Sequence, residues 1–487
     1  MALIDDVALR TDFFAEQRRH RRASRRLAHA AAAAVALMGV PVSLVIAPLL
    51  YGVVLIVCDV ANLLHPFPPN VTGPLAAAAR AFSNGELNSP MAMTLVGAAV
   101  IAPGMAAIVV LWLGVRALPD GNGSEFHLRT MAAREPRPGD LEERQLQNVV
   151  EEMSVAAGLP PPCIRLIDSP AANAAVFGSS GVGATIVVSR GLLDGFSRED
   201  TQALAGHLVA SISNGDLEIA AVLGSTLQTF GLLITLLDAP SGPASAGRFR
   251  RVVRIALRRG LDNADAGAIG DMLAARLLLD DGPEPARIES KYERLRAPLI
   301  VASQAVKWTL FVFTTALVGP LLALLWRSRR YLADATAVQL TRNPGALWHA
   351  LAELIQKGGM PAASAASSYL FIVGPETVGW QRPGAPPPPR VDDKMGTNSL
   401  LAFHPDIGRR LRRLEAQGAA APPREPGAAV TPLRRLLTSA GALLVWSLFG
   451  IGMAAAAAGM VLVVGVSVLM DVLVLGLIHA FFSIFAG

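Results

Sequence analysis

Uninterrupted apolar runs, several of them long enough to cross a lipid bilayer, are the feature that most constrains the fold of this chain. A membrane-spanning helix takes about 20 apolar residues, and 52% of the 487 residues are hydrophobic while only 17% are charged. The runs fall in three regions: two spans with an external loop in 27–117, a third and fourth span in 217–326, and one or two spans in 436–487. The pattern predicts an α-helical multi-pass membrane protein.

The distribution of arginine predicts how the spans are oriented. Residues 1–26 are strongly basic, and cytoplasmic segments carry an excess of Lys and Arg, so we predict a basic cytoplasmic N-terminus. The first run is too long for the core of a signal peptide and is predicted to be a retained anchor in the cell (inner) membrane. The loop 239–298 between the third and fourth spans is rich in Arg. It would be external, against the same rule, so its side stays open.

Composition also limits the class of protein. The net charge of +5 comes from Arg clusters without the stacking aromatic residues that single-stranded nucleic-acid binding uses. We therefore expect the lipid bilayer, and no nucleic acid, among the partners. The only two cysteines, Cys58 and Cys163, exclude a disulfide framework and a cysteine-based zinc site.

Two polar regions, 118–216 and 327–435, are predicted to form the two parts of one cytoplasmic domain. In the first part, helical periodicity over Gln145–Ala157 ends at Gly158, and short alternating patterns predict strands at Cys163–Asp168 and Thr185–Ser189. In the second part, we predict a helix through Trp348 and Leu354, a strand at Tyr369–Val373 and Pro-rich linkers at 383–389 and 418–432.

The helix that follows Ser197 carries the most informative polar motif. Ser197 with Asp200 three residues on predicts an N-cap, and the helix then contains His207-Leu208-Val-Ala-Ser211. A zinc-peptidase helix would carry H-E-x-x-H, with two His one turn apart on the metal and a Glu that takes a proton from the metal-bound water. The Glu position is Leu208 and the second His position is Ser211, so standard zinc hydrolysis is not expected.

Five motifs in order resemble those of the HtpX-like zinc metallopeptidases, relatives of the CAAX prenyl endopeptidases. The five segments, over roughly residues 145–415, are Asp168-Ser-Pro-Ala-Ala-Asn173-Ala174, Val187–Leu193, Gly206–Asp216, Arg327-Ser-Arg-Arg330-Tyr-Leu-Ala-Asp334 and Phe403-His404-Pro405 with Arg410-Leu411. They are similar to the family's substrate-pairing strand, the stretch before the metal helix, the metal helix, the R-x-x-E-[FY]-x-A-D motif of the third ligand and the T-H-P motif.

The resemblance implies a fold class: a multi-pass membrane protein with a cytoplasmic α+β gluzincin-like (zincin) peptidase domain. It also implies that Asn173 and Ala174 belong to a groove that pairs with a substrate strand. Asp216, Asp334 and His404 would then be remnants that surround the metal position in the family.

The chain departs from the family's pattern at the residues that bind the metal and at the general base. Leu208 replaces the general base, Ser211 the second ligand and Arg330 the third ligand, so only His207 could still bind a metal. We therefore expect no cofactor, where the family binds zinc, and we expect Arg330 to fill the metal's space and pair with Asp334 or Asp216.

These residues favour a pseudopeptidase that binds or regulates unfolded or membrane-protein segments, or an active paralogous protease. One alternative is an active metalloendopeptidase with a rebuilt site, using His207 with His404, Asp334 or His349. Another alternative is a non-catalytic transport or structural role in which Lys307 and Asp471, two ionisable residues within apolar runs, are the important features.

Overall fold

The computed structural model describes residues 105–114, 124–178, 183–239, 245–250, 318–359, 365–374 and 402–420, together with single positions in 18–29, 181, 242 and 304–314. The predicted C-terminal spans in 436–487, most of 27–117, most of the loop 239–298, the Pro-rich linker at 383–389 and most of the linker at 418–432 lie outside the described residues.

The first long helix of the polar domain begins and ends where its sequence provides caps. After α1 (Met105–Gly114) and α2 (Ser124–Thr130), helix α3 runs over Leu141–Ala157. The side chain of Asp140 accepts hydrogen bonds from the backbone N–H groups of Glu142 and Glu143 at its start. Gly158 ends the helix with φ 67°, a left-handed conformation that glycine adopts without steric cost. The predicted end at Gly158 is confirmed.

A small three-stranded sheet lies between the helices. Its strands are β1 (Cys163–Ile167), β2 (Ala174–Phe177) and β3 (Thr185–Ser189), in the order β1-β3-β2. β3 pairs in parallel with β1 and antiparallel with β2, with Cys163 opposite Thr185 and Ala174 opposite Val188. The two strands predicted from alternation are confirmed, and β2 is left at one edge of the sheet.

Helix α5 occupies the centre of the domain. It follows the short α4 (Arg190–Gly195) and spans Arg198–Ser213. The predicted N-cap at Ser197 is confirmed, and Asp200 completes a reciprocal capping box with it. Helix α7 (Gly319–Thr341) and α3 both pack along α5. A Cβ atom at Gly206 would lie 3.0 Å from Cγ2 of Thr341, so this glycine permits the close approach of α5 and α7 beside His207.

The two apolar helices α6 and α7 connect the domain to the regions predicted to span the membrane. Helix α6 (Asp216–Asp238) is, among the described residues, the one helix long and apolar enough to cross a bilayer. Helix α7 continues without a break across residues 326 and 327, where the polar region was predicted to begin. Lys307, one of the two ionisable residues within apolar runs, is buried and its Nζ lies 2.7 Å from Oδ1 of Asp238.

The second part of the domain completes the α+β fold around α5. Helix α8 (Pro344–Lys357), predicted through Trp348 and Leu354, packs against α5 and against α9 (Ile407–Ala416). The predicted strand at Tyr369–Val373 is wrong: residues Ala365–Leu370 form a 3-10 helix. Among residues 371–374, which the structure describes after this helix, Phe371 makes a strand-like bridge to Ala175.

Candidate functional site

His207 lies at the centre of α5 with its side chain fully buried. Its Nδ1 atom is 2.9 Å from Oδ1 of Asp334 on α7, within hydrogen-bond distance when Nδ1 carries the proton. Its Nε2 atom has no hydrogen-bond partner among the described residues. Burial lowers the pKa of His207 by more than Asp334 raises it, so the imidazole is neutral near pH 7.

Asp334 is held by an arginine from another helix. The guanidinium of Arg410 on α9 donates from Nε to Oδ2 at 2.8 Å and from Nη2 to Oδ1 at 2.7 Å. Burial alone would raise the pKa of Asp334, but the charge of Arg410 and the contacts with His207 and Arg410 outweigh that effect and lower the pKa. The carboxylate therefore stays ionised and joins α5, α7 and α9.

The two positions beside His207 on α5 offer no carboxylate or imidazole. Leu208 is packed in the hydrophobic core, and the hydroxyl of Ser211 is buried with no hydrogen-bond partner in the part of the chain that the structure describes. Ser211 and His207 are one helical turn apart, yet they do not hydrogen-bond to each other. Leu208 and Ser211 therefore provide no carboxylate or imidazole that could take a proton from a bound water.

Arg330 binds backbone carbonyl groups. Its Nη2 atom lies within hydrogen-bond distance of the carbonyl oxygens of Tyr369 at 2.8 Å, Leu370 at 2.7 Å and Phe371 at 2.8 Å, so that one of its two hydrogens is shared between two acceptors. The guanidinium also lies over the ring of Trp326, 5.0 Å from its centroid. Burial lowers the pKa of Arg330 to about 10, which still leaves the side chain charged at pH 7.

The predicted pairing of Arg330 with Asp334 or Asp216 is therefore wrong. Asp334 binds Arg410, and Asp216 binds the neighbouring Arg329, whose Nε lies 2.6 Å from Oδ1. Arg329 also donates to the backbone carbonyl of Asn214. Arg329 and Arg410 were not predicted as partners of these carboxylates, although Arg410 lies in the segment that resembles the family's T-H-P motif.

Asn173, Ala174 and His404 all bind the segment that follows α8. The Nδ2 atom of Asn173 donates to the carbonyls of Gly359 at 3.1 Å and Val373 at 3.0 Å. The carbonyl of Ala174 accepts from the N–H of Ile372 at 2.8 Å. His404 lies with Nε2 3.0 Å from the carbonyl oxygen of Phe371, so this nitrogen carries the proton, because a carbonyl can only accept.

The residues around His207 do not fit a zinc ion. Zinc sites in proteins take three or four ligands from Cys, His, Asp and Glu. The residues that the structure describes contain no group of three or more such side chains placed to hold a metal. Near His207, the carboxylate of Asp334 is engaged by Arg410, and Arg330 is a cation that would repel Zn²⁺. His349 is remote, because it pairs with Asp200, about 10 Å along α5 from His207.

The fold and the ordered motifs correspond to a known peptidase family. The sequence profile of peptidase family M48 matches residues 140–417, so this chain belongs to that family, as an HtpX-like member. The resemblance inferred from the five motifs is confirmed.

Curated relatives support the same assignment. The chain is 29% identical over 299 residues to the Protease HtpX homolog of Dictyoglomus thermophilum, covering 61% of this chain and 76% of the relative. It is 26% identical over 271 residues to the Protease HtpX homolog of Levilactobacillus brevis, covering 56% of this chain and 72% of the relative. No solved structure matches.

Proposed function

We propose that this protein is a pseudopeptidase: an HtpX-like membrane protein that does not hydrolyse peptides. The observation that carries the proposal is the position of Arg330, whose buried guanidinium donates to three backbone carbonyls. A permanent cation at the position of the family's third ligand disfavours a divalent metal beside His207. A rotation of Arg330 toward a metal would also take its donor from the carbonyl of Leu370, whereas the carbonyls of Tyr369 and Phe371 would keep Trp326 and His404.

The second support is the absence of a base at the site. Leu208 cannot take a proton from water, and the described carboxylate closest to His207 is locked by Arg410 in a salt bridge with two hydrogen bonds. General-base catalysis needs a group whose pKa lies near the working pH, whereas the pKa of Asp334 is lowered. Neither of these side chains can therefore act as the general base that hydrolysis requires.

A protein of this kind acts by binding. We propose a multi-pass protein of the inner membrane whose peptidase-like domain faces the cytoplasm and contacts unfolded or membrane-protein segments or an active paralogous protease. The apolar runs and the basic N-terminus support the membrane part of this proposal.

The deciding experiment is zinc content, measured by plasma mass spectrometry on detergent-purified protein. We expect less than about a tenth of an equivalent of zinc, unchanged in His207→Ala, and no cleavage of a fluorescently labelled unfolded protein. The Dictyoglomus thermophilum relative, purified in the same way, is the control for retention of metal. Near one equivalent of zinc that is lost in His207→Ala, together with cleavage blocked by a chelator, would refute the proposal.

A second candidate is a hydrolase with a rebuilt site, favoured by the 2.9 Å approach of His207 to Asp334. Ser211, one turn away, would then be the nucleophile. Metal-independent cleavage that disappears in both Ser211→Ala and His207→Ala would establish this candidate instead.

A further inference from the structure

The outer edge of β2 is covered by the chain itself. Phe371 forms an antiparallel bridge with Ala175, and the N–H of Ile372 donates to the carbonyl of Ala174 at 2.8 Å. On the same edge, Ala172 bridges Gly358. Residues 369–373 are called here the edge segment, and two of them, Phe371 and Ile372, therefore lie where an added strand would bind β2 through its backbone.

Each carbonyl of the edge segment is bound by a side chain from another element. The donors are Trp326 and Arg330 for Tyr369, Arg330 for Leu370, Arg330 and His404 for Phe371, Arg410 for Ile372 and Asn173 for Val373. The last carbonyls of a 3-10 helix have no partner within the helix, and here side chains from α7, α9 and the sheet replace that partner. Arg330 alone binds three of these groups.

The side chains of the edge segment are also packed into the core. Phe371 is fully buried and meets Phe177 of β2 edge-on, with ring centroids 6.3 Å apart. Tyr369 meets Trp326 in the same manner at 5.4 Å, and its hydroxyl donates to the carbonyl of Ala220 on α6 at 3.2 Å. The segment thus combines backbone pairing with buried apolar contacts, as a bound peptide would.

We propose that the edge segment occupies β2 as an internal substitute for an extended peptide, and that Arg330 is the latch that holds it there. The inference rests on the proposed binding function and adds its regulation: a peptide reaches the edge of β2 only after the segment is released. The expected ligand is an extended apolar peptide, because the segment that now fills the position is Tyr-Leu-Phe-Ile-Val.

Hydrogen–deuterium exchange of the full-length protein in detergent tests the latch. In Arg330→Met we expect exchange to rise by about tenfold in residues 365–374 and 172–177, with α3 and α5 unchanged. Arg329→Met is the matched control, because it removes another buried arginine of α7 that binds Asp216 and not the edge segment. Equal loosening of the whole domain, or no change at the edge segment, would overturn the proposal.

Peptide binding tests whether release of the edge segment opens the edge of β2 to a peptide. A labelled peptide with the sequence of residues 368–374 should show increased fluorescence anisotropy with Arg330→Met and not with the unaltered protein or Arg329→Met, while a scrambled peptide should not bind. If Arg330→Met fails to fold, Asn173→Ala removes the bonds to Gly359 and Val373 from the other side and should give the same result. Equal binding by the unaltered protein, or no binding by an opened variant, would refute occlusion. Zinc content of the same samples reports on the pseudopeptidase proposal separately.

Discussion

At the scale of single residues, the site is a set of buried charges held by specific partners. His207 approaches Asp334, Asp334 binds Arg410, and Arg330 binds carbonyls. A buried charge without a partner is costly. Each of these residues therefore limits which amino acids its neighbours can be replaced by. His207 is the neutral member of this set, and burial lowers its pKa from the ordinary value of 6.5.

Stability should therefore depend on pH through His207. Because the pKa of His207 is lowered from 6.5 in the folded protein, the unfolded chain takes up a proton first as the pH falls. The contribution is complete above pH 6.5 and is lost below it, by up to about 1.4 kcal/mol per pH unit, until the folded pKa is reached.

Thermal unfolding in detergent between pH 7.5 and 5.0 measures this dependence. The window lies above the ordinary pKa of carboxylates, so Asp334, whose folded pKa is lower still, contributes little to it. We expect the unaltered protein to lose more stability across the window than His207→Gln. Parallel pH profiles for the two proteins would contradict the prediction.

The sequence indicated which residues meet at the site better than it indicated their bonds. The motif spacing brings His207, Arg330, Asp334 and His404 into one buried region, and they do lie there. Which acceptor each of Arg329, Arg330 and Arg410 binds could not be predicted from the sequence. A long, flexible arginine can reach acceptors several ångströms apart, and only the packing of α7 against α9 and the edge segment decides between them.

At the scale of elements, local signals predicted the helices α3, α5 and α8 and the strands β1 and β3, but not the short helices α2 and α4 or the structure of the edge segment. Tyr369–Val373 has the apolar, β-branched composition of a strand. Its first residues nevertheless complete a 3-10 helix, because Arg330 and Trp326 supply the hydrogen-bond donors that a neighbouring strand would have supplied. These donors lie about 40 positions away in the sequence, so the residues of the edge segment themselves do not indicate them.

The capping box at the start of α5 gives a prediction for an element. Ser197→Ala removes the hydroxyl that accepts from the N–H of Asp200 and should destabilise the domain by about 1 kcal/mol. Ser213→Ala, an exposed position at the other end of α5, is the matched control and should change stability by less than about 0.5 kcal/mol. The apparent melting temperature in detergent compares the two, and equal values would contradict the capping role.

At the scale of the whole molecule, the ion pair of Lys307 with Asp238 joins the end of α6 to the fourth apolar run. Both side chains are buried, with Nζ and Oδ1 2.7 Å apart. Breaking a buried pair by removing one partner leaves the other charge uncompensated, whereas removing both charges relieves that cost.

Lys307→Met should therefore lower stability by about 3–5 kcal/mol, and the double variant Lys307→Met/Asp238→Asn should recover most of the loss. Apparent melting temperatures of the two single variants and the double variant in detergent give the coupling. Additive losses in the double variant would mean that the two residues act separately.

The three carbonyls bound by Arg330 also bear on the history of the chain. The family's motif carries a carboxylate at position 330, and that group would set an acceptor against the carbonyl acceptors of Tyr369, Leu370 and Phe371, at a cost to folding. Under the proposal that this chain is a pseudopeptidase, restoring that carboxylate alone would still leave Leu208 and Ser211 at the positions of the base and the second ligand. The bonds of Arg330 to the edge segment would therefore oppose a stepwise return to the family's zinc site.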